Sequence, residues 1–270
     1  MSDELEDLAA RGLAGDRAAL GALCRALQGP MYRLAQRMLG HPADAEECTQ
    51  EIIVLIVTHL AQFRGEGRLM AWAYTIASRH LLRARASRAE SRSIAVEDVE
   101  RIIDAGLAAT RDAAALTDGE IRVLARDVQR TCTQAMLFCL TREERLAVLL
   151  AEMLGATDTI GADICGIQPD AFRQRVARAR AKLRPVLEER CGIAEPANPC
   201  RCSRQVIAKQ RARLKIPVYL DAVEGDAVER AEQQLGAMRR LGGVFAAHPP
   251  AAPSAKLWAS LVEHFPDLLT

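Results

Sequence analysis

Three cysteines near the C-terminal end of the chain have the residue type and spacing for metal or thiol chemistry. Cys191 precedes Cys200 and Cys202, which form a Cys-x-Cys pair in the proline-rich stretch CGIAEPANPCRCSRQ. Thiolates at this spacing supply soft ligands to zinc or cuprous copper, although nothing in the sequence makes a cofactor a requirement. Three further residues offer a fourth ligand: Cys132, Cys139 and His248.

The same thiols also suit a redox switch. Arg201 and Arg204 stand beside the Cys-x-Cys pair, and neighbouring cations are expected to lower the thiol pKa values and raise reactivity. A third alternative is structural, with Cys191 packed beyond the preceding helix. Because a Cys-x-Cys in a proline-rich loop is poor core material, metal or redox chemistry is favoured. Three other cysteines fall on apolar helix faces and are predicted to be core: Cys24, Cys48 and Cys165.

An arginine-dense segment is the second stretch whose residues could bind a charged ligand. A short helix is predicted over 158–165, a glycine turn over 166–168, and a second helix from Pro169. Pro185 is predicted to end or kink that second helix. Two short helices joined by a tight turn indicate a helix-turn-helix. One apolar stripe of the second helix is predicted to be buried: Phe172, Val176, Ala179 and Leu183.

Basic residues flank that stripe on both sides, so the helix is predicted to read DNA while its edges hold phosphates. An arginine-rich helix that merely faces solvent is the alternative. The candidate contact residues of this helix are Arg173, Gln174, Arg175 and Arg178.

Aromatic and basic residues are mixed in a helical segment near residue 72. Trp72 and Tyr74 are followed by Arg79 and Arg83. Aromatic rings stack on unpaired bases while cations hold the phosphates, so the segment is a candidate site for melted nucleic acid. A core role for Trp72 is the alternative.

The helix that begins near Pro42 carries an acidic face that could dock on a basic helical partner. An ordinary solvated face fits the same periodicity. The residues of this face are Asp44, Glu47, Gln50 and Glu51.

Composition indicates an all-α fold. Half of the 270 residues are hydrophobic and only 4% are aromatic. Alanine, leucine and arginine are abundant, and β-branched runs are scarce. The net charge of +1 carries no information about nucleic acid. No apolar run approaches the ~20 residues of a membrane span and the N-terminus is polar, so we expect a cytoplasmic protein without a membrane partner.

Two stretches together carry a family resemblance. The segment HPADAEECTQEIIVLI, followed by FRGEGRLMAWAYTIASRHLL, resembles region 2 of the extracytoplasmic-function (ECF) sigma factors. The segment LTREERLAVLLAEMLG, followed by FRQRVARARAKLR, is similar to their region 4. The resemblance implies two helical sigma domains and no enzymatic activity. The implied domains are region 2 over 1–92, a linker over 93–119, region 4 over 120–190 and a mostly helical extension over 191–270.

The resemblance also implies partners. The acidic face at Asp44, Glu47, Gln50 and Glu51 would bind the β′ clamp of core RNA polymerase, and the β flap would be a second contact. Trp72, Arg79 and Arg83 would melt and read the promoter −10 element. The helix after Pro169 would read the −35 element through Arg173, Gln174, Arg175 and Arg178.

Two positions depart from the family pattern. Arg79 stands where the family often has asparagine, which puts base capture there in doubt. Gly161 replaces the alanine of a usual Glu-Ile-Ala and is expected to weaken its helix by up to ~1 kcal/mol.

Some ECF factors carry a C-terminal extension that regulates them, and the extension here is expected to act through metal or thiol chemistry. One alternative is a helix-turn-helix regulator that binds duplex DNA without polymerase, although such a protein needs neither the acidic face nor the aromatic-basic segment. A thiol- or metal-dependent enzyme is a weaker alternative, because no catalytic His/Glu spacing accompanies the cysteines.

Overall fold

The computed structural model describes residues 2–65, 68–84, 94–108, 117–206 and 255–264. These residues form helices joined by short turns, and no strand occurs among them apart from one isolated bridge between Cys191 and Cys200. The all-α prediction is therefore confirmed. The α-helices are α1 (Ser2–Leu13), α2 (Arg17–Leu39), α3 (Pro42–His59), α4 (Leu69–Arg83), α5 (Val96–Ala108), α6 (Asp118–Phe138), α7 (Arg142–Met153), α8 (Asp158–Cys165), α9 (Pro169–Glu189) and α10 (Ala255–His264).

Local sequence signals explain where several helices begin and end. The Asp16 carboxylate accepts from the backbone N–H of Ala19 at 3.0 Å and so caps α2. Gly40 ends α2 with a left-handed backbone at φ 68°. Helices α6 and α7 each begin with a capping box, built on Thr117 and Thr141 respectively.

Helices α1 to α4 form an N-terminal bundle. Helix α2 packs on α3, α1 packs on α2, and α4 packs on both α2 and α3. The bundle core consists of apolar side chains that recur at helical spacing, as amphipathic helices require. Its fully buried members include Leu23, Leu27, Met31, Ile52 and Ile56.

Helices α7, α8 and α9 form the helix-turn-helix unit. Helix α8 has the predicted bounds, and Gly166 ends it with φ 66°. Of the two effects predicted for Pro185, an end or a kink, the end is wrong, because α9 continues to Glu189. Val186 and Leu187 extend its buried face beyond the proline, and this packing outweighs the one hydrogen bond that proline cannot donate.

Gly161 is explained by packing rather than by helix propensity. A Cβ on Gly161 would lie 2.2 Å from the ring of Phe172, which is fully buried. Helix α8 therefore needs a residue without a side chain here so that the ring of α9 can approach. The lower helix propensity of glycine is offset by the burial of that ring.

The N-terminal bundle and the helix-turn-helix unit pack against each other. Helix α4 lies on α8, and α2 contacts α6 and α7. Arg145 of α7 is buried and donates to the carbonyl of Met38 at the end of α2. The amide of Gln134 in α6 donates to the carbonyl of Arg37 at 3.0 Å. These bonds join residues about a hundred positions apart in the sequence.

The region between the two units also contains a helix. The apolar spacing of IAVEDVERIID predicts a short helix within the linker over 93–119, and α5 confirms it. Helix α5 packs on α6 and α9. Arg190 pairs with Glu100 at 3.0 Å and with Asp104 at 3.4 Å, which ties α5 to the end of α9.

The C-terminal helix α10 packs against α3. Leu257 and Leu261 are buried there, and the Arg25 guanidinium lies 5.2 Å from the centre of the Trp258 ring. The sequence of the extension predicts a short amphipathic helix over 257–265, and the helix is present as far as His264. The sequence also predicts a helix over 219–241, a segment that lies outside the described residues.

Candidate nucleic-acid interface

Helix α9 presents its basic residues on the surface. The predicted apolar stripe is confirmed, because Phe172, Val176, Ala179 and Leu183 are all buried. On the remaining surface Arg173, Gln174 and Arg178 are exposed, whereas Arg175 is half-buried. The helix therefore offers a polar face flanked by cations, which is the arrangement that reads a DNA groove.

Acidic residues on neighbouring helices hold several of these cations in place. Arg173 Nε lies 2.8 Å from an Asp158 carboxylate oxygen, and its Nη1 lies 2.9 Å from Asp170. The Asp158 hydrogen bond, followed by the charge of Asp170, raises the pKa of Arg173. Bonding to the start of α8 fixes the first turn of α9, and DNA phosphates would have to compete with these exposed pairs.

Glu144 at the start of α7 anchors the other edge of α9. Its carboxylate accepts from Lys182 Nζ at 2.7 Å, and Arg178 Nε lies 3.9 Å away. Burial alone would raise the pKa of Glu144, but the bonds from Lys182 and from the Thr141 backbone hold it below its usual value. Glu144 is therefore a buried anion that positions two cations at the surface.

Helix α4 carries the predicted aromatic-basic site. Trp72 is half-buried and packs on Phe63 with 5.6 Å between ring centres, so part of the ring serves the core. Arg79 and Arg83 are exposed on the same helix. Arg142 of α7 donates to the Ala84 carbonyl and caps the end of α4, so the helix-turn-helix unit also fixes this segment.

The acidic face of α3 lies partly at the surface. Glu47 and Glu51 are exposed, whereas Asp44 and Gln50 are half-buried at its margins. Asp44 pairs with the His41 ring at 3.2 Å, and a Glu51 oxygen lies 2.8 Å from His80 Nε2 of α4. The predicted face thus has two exposed carboxylates, and that of Glu51 contacts α4.

The three C-terminal cysteines lie in a closed loop at the end of α9. Gly192 donates to the Cys200 carbonyl at 3.0 Å, and Cys200 donates to the Arg190 carbonyl at 3.1 Å, which places Cys191 beside Cys200. The Asn198 amide donates to the Glu188 carbonyl at 2.9 Å and closes the loop onto α9. The loop is therefore fixed directly to the basic helix.

Cys132 of α6 faces this loop. Its pKa is raised first by burial and then by the charges of Cys202, Cys191 and Cys200, so the four thiols lie close together. Of the three proposed fourth ligands, Cys132 is the one this geometry favours. Burial, followed by the charges of Asp98 and Glu97, raises the pKa of Cys139, and His248 lies outside the described residues. No three of the four sulfur atoms lie within 4.8 Å of one another, so a bound metal would draw them closer.

The predicted net lowering of the thiol pKa values is wrong for Cys200 and Cys202, because burial outweighs the lowering effect that Arg201 and Arg204 have on Cys200. Burial raises the pKa of Cys202 to about 12, and burial also raises the pKa of Cys200. The Arg201 guanidinium is turned towards the loop backbone and donates to the Pro196 carbonyl at 2.7 Å. The raised pKa values argue against a reactive thiolate at Cys200 and Cys202 near pH 7.

Gln205, directly after the cysteine loop, joins the extension to α5. Its amide donates to the Ile103 carbonyl at 2.9 Å and lies 3.6 Å from the Cys200 sulfur. A Cβ on Gly106 would lie 1.8 Å from the Gln205 amide oxygen. The close approach of Gln205 to α5 thus depends on a glycine.

We expect Gly106→Ala to destabilise the protein by about 1–3 kcal/mol, because the added methyl group displaces a buried side chain. Gly119→Ala is the matched control, since a Cβ there meets only Thr117 Oγ1 at 3.9 Å. The control is expected to be neutral or stabilising by up to ~1 kcal/mol. Urea denaturation of both variants checks the prediction, and equal free energies of unfolding would contradict it.

Two kinds of comparison, one with a family model and one with individual proteins, indicate the same family. A family model described as Sigma-70 region 2 matches residues 23–91, which include α3 and α4. A probable RNA polymerase sigma-C factor from Mycobacterium bovis is 28% identical over 178 residues, covering 65% of this chain and 87% of that protein.

Two further relatives are also ECF sigma factors. SigE from Mycolicibacterium smegmatis is 29% identical over 192 residues, covering 69% of each chain. SigM from Mycobacterium tuberculosis is 29% identical over 182 residues, covering 67% of this chain and 83% of that protein. None of the helices in the described part of the chain is long and apolar enough to cross a membrane. The all-helical fold, the region 2 match and these relatives support an extracytoplasmic-function RNA polymerase sigma factor.

Proposed function

We propose that this sigma factor docks on core RNA polymerase through the acidic face of α3, reads the −10 element with α4 and reads the −35 element with α9. The observation that carries the proposal is that the matched region 2 segment contains both α3 and α4. One of these helices exposes carboxylates at Glu47 and Glu51, and the other exposes guanidinium groups at Arg79 and Arg83. A regulator that binds duplex DNA alone would need neither face.

We further propose that the arrangement seen here is a closed form that opens on the promoter. The −10 and −35 elements are about 25 base pairs apart, or about 85 Å at 3.4 Å per base pair. Helices α4 and α8 are in direct contact, so α4 and α9 are too close together to reach both elements at once. Opening must therefore separate the N-terminal bundle from the helix-turn-helix unit.

The extension is proposed to stabilise the closed form. Helix α10 packs on α3, and the cysteine loop packs on α5 and the end of α9, so the extension contacts both units. Metal bound by Cys132, Cys191, Cys200 and Cys202 would tie α6 to that loop. Binding or loss of the metal would then change how firmly the loop holds the end of the basic helix.

Alanine at the proposed −35 contacts is expected to weaken promoter binding by about 1–3 kcal/mol per base contact. The variants are Gln174→Ala, Arg173→Ala and Arg178→Ala, measured by binding of the polymerase holoenzyme to promoter DNA. Arg184→Ala is the control, because Arg184 is exposed near the other end of α9 and pairs with Glu188. Unchanged binding in all three variants would remove this face of α9 from the site.

The cysteine loop is expected to bind zinc or cuprous copper. Cys200→Ser combined with Cys202→Ser should remove one metal equivalent per chain, and Cys132→Ser should weaken the same binding. Cys24→Ser is the control, since that thiol is buried in the N-terminal bundle. Metal content is measured by elemental analysis of the purified full chain. An unchanged metal content in the double variant would rule out the loop as a metal site.

A further inference from the structure

A second group of possible metal ligands lies between α3 and α4, in the N-terminal bundle. Cys48 and Glu51 are one helical turn apart on α3, and His80 comes from α4. The Cys48 sulfur, a Glu51 carboxylate oxygen and a His80 ring nitrogen all lie within 4.8 Å of one another. Among the residues that the structure describes, this is the only set of three or more such groups to meet that condition. Three donors of different chemistry thus converge on one point.

Among the described residues, the His80 ring nitrogen has an ion-pair contact but no hydrogen bond. His80 Nε2 is buried and lies 2.8 Å from Glu51 Oε2, yet the pair does not have the geometry of a hydrogen bond. A buried ring nitrogen without a hydrogen bond is costly. A metal ion placed between the ring and the carboxylate would satisfy both groups without requiring either to point at the other.

Burial and charge at this point also favour a cation. Cys48 is buried, the His80 side chain is 22% exposed, and the Glu51 side chain is 53% exposed. Glu51, Glu47 and Asp44 all place negative charge near the Cys48 sulfur, and the positive charge of Arg142 opposes them. Three carboxylates against one guanidinium leave a net attraction for a divalent cation.

The ligand set identifies the class of metal. One thiolate, one imidazole and one carboxylate match the preferences of Zn²⁺ and similar borderline ions, whereas Mg²⁺ and Ca²⁺ prefer oxygen ligands alone. Three protein ligands leave one tetrahedral position, and the exposure of Glu51 places that position within reach of water.

We propose that Cys48, Glu51 and His80 bind Zn²⁺ or a similar divalent cation, with water as the fourth ligand, and that the bound ion weakens docking on polymerase. The ion holds the Glu51 carboxylate against α4 and neutralises its charge. Glu51 is one of the two exposed carboxylates of the α3 face. Neutralising its charge therefore removes part of the acidic surface that meets the basic partner. This second step rests on the proposed function, whereas metal binding itself does not.

Zinc content of the full chain tests the binding step. His80→Gln and Cys48→Ser are each expected to lose one zinc equivalent per chain after saturation and gel filtration. His59→Gln is the matched control, since His59 lies at the end of α3 and its ring contacts the Leu55 carbonyl at 2.8 Å. Circular dichroism confirms that each variant is folded. Zinc content that stays at the wild-type value in both folded variants would overturn the site.

The zinc equivalent bound at Cys48, Glu51 and His80 must be separate from the metal equivalent bound by the cysteine loop. Combining His80→Gln with Cys200→Ser and Cys202→Ser is therefore expected to remove two equivalents. Loss of only one equivalent in the combined variant would show that both sets of residues act on the same ion, and would overturn a second site.

Polymerase binding with and without zinc tests the docking step. Zinc is expected to weaken binding of the wild-type chain several-fold and to have a much smaller effect on His80→Gln. If zinc weakens polymerase binding equally for the wild-type chain and for His80→Gln, the proposed effect of the ion on docking is overturned. If neither protein binds polymerase even in the absence of zinc, the proposed function fails instead, and the zinc-content result still stands on its own.

Discussion

Replacement of Arg145 with alanine is expected to lower the free energy of unfolding by about 3–5 kcal/mol. The guanidinium is 4% exposed and donates to the carbonyls of Leu137 at 2.9 Å and Leu140 at 3.3 Å, as well as to Met38 across the interface. It also lies 4.5 Å from the centre of the Phe138 ring. Alanine would leave these buried carbonyls without their donor and open a cavity.

Urea denaturation of Arg145→Ala and Arg122→Ala checks this prediction. Arg122 is exposed on α6, so its replacement should change the free energy of unfolding by no more than about 0.5 kcal/mol. Arg145→Lys should fall between the alanine variant and the wild type, because one ammonium group cannot span the three carbonyls. Equal stability of the two alanine variants would show that Arg145 does not hold the two units together.

Replacement of Phe172 with alanine is expected to cost about 3–5 kcal/mol. The ring is fully buried between α8 and α9, and its atoms occupy the space that a Gly161 side chain would need. Loss of the ring removes apolar contacts and also the spacer that sets how closely the two helices pack. Thermal or urea unfolding of the variant measures the loss.

A double-mutant cycle isolates the contact between Gly161 and Phe172. Gly161→Ala alone should be destabilising by about 1–3 kcal/mol, because the methyl group meets the ring. In the Phe172→Ala background the same change should become stabilising by up to ~1 kcal/mol, since alanine favours the helix and the space is open. The same sign in both backgrounds would contradict the packing account of Gly161.

Periodicity and capping signals predicted much of the helical structure. Helix α8 has the predicted bounds, because Gly166 marks its end in the sequence. The end predicted at Pro185 was wrong, because a local breaker was outweighed by packing that the sequence pattern does not show. Local sequence signals thus predict the positions of helices well. They predict the ends of helices less well where tertiary contacts determine where a helix ends.

The contacts between distant segments could not be predicted from the sequence. Arg145 donates to the Met38 carbonyl, although more than a hundred residues separate them in the sequence. Cys132 lies near a loop that begins at Cys191. Cys48 was predicted on the apolar face of its helix and Glu51 on the acidic face, and nothing in the sequence brings His80 to them. The thiol pKa values were mispredicted for the same reason, since burial depends on which elements cover the loop.

Transcription from defined promoters by core RNA polymerase tests the central claim most directly. Addition of the full chain is expected to produce run-off transcripts with fixed start sites from a pool of genomic promoters, and core polymerase alone should not. Exchange of Glu47 for lysine should reduce the transcripts, because it reverses an exposed charge of the α3 face. Absence of any chain-dependent transcript from the whole promoter pool would contradict the assignment of this protein as a promoter-specificity subunit.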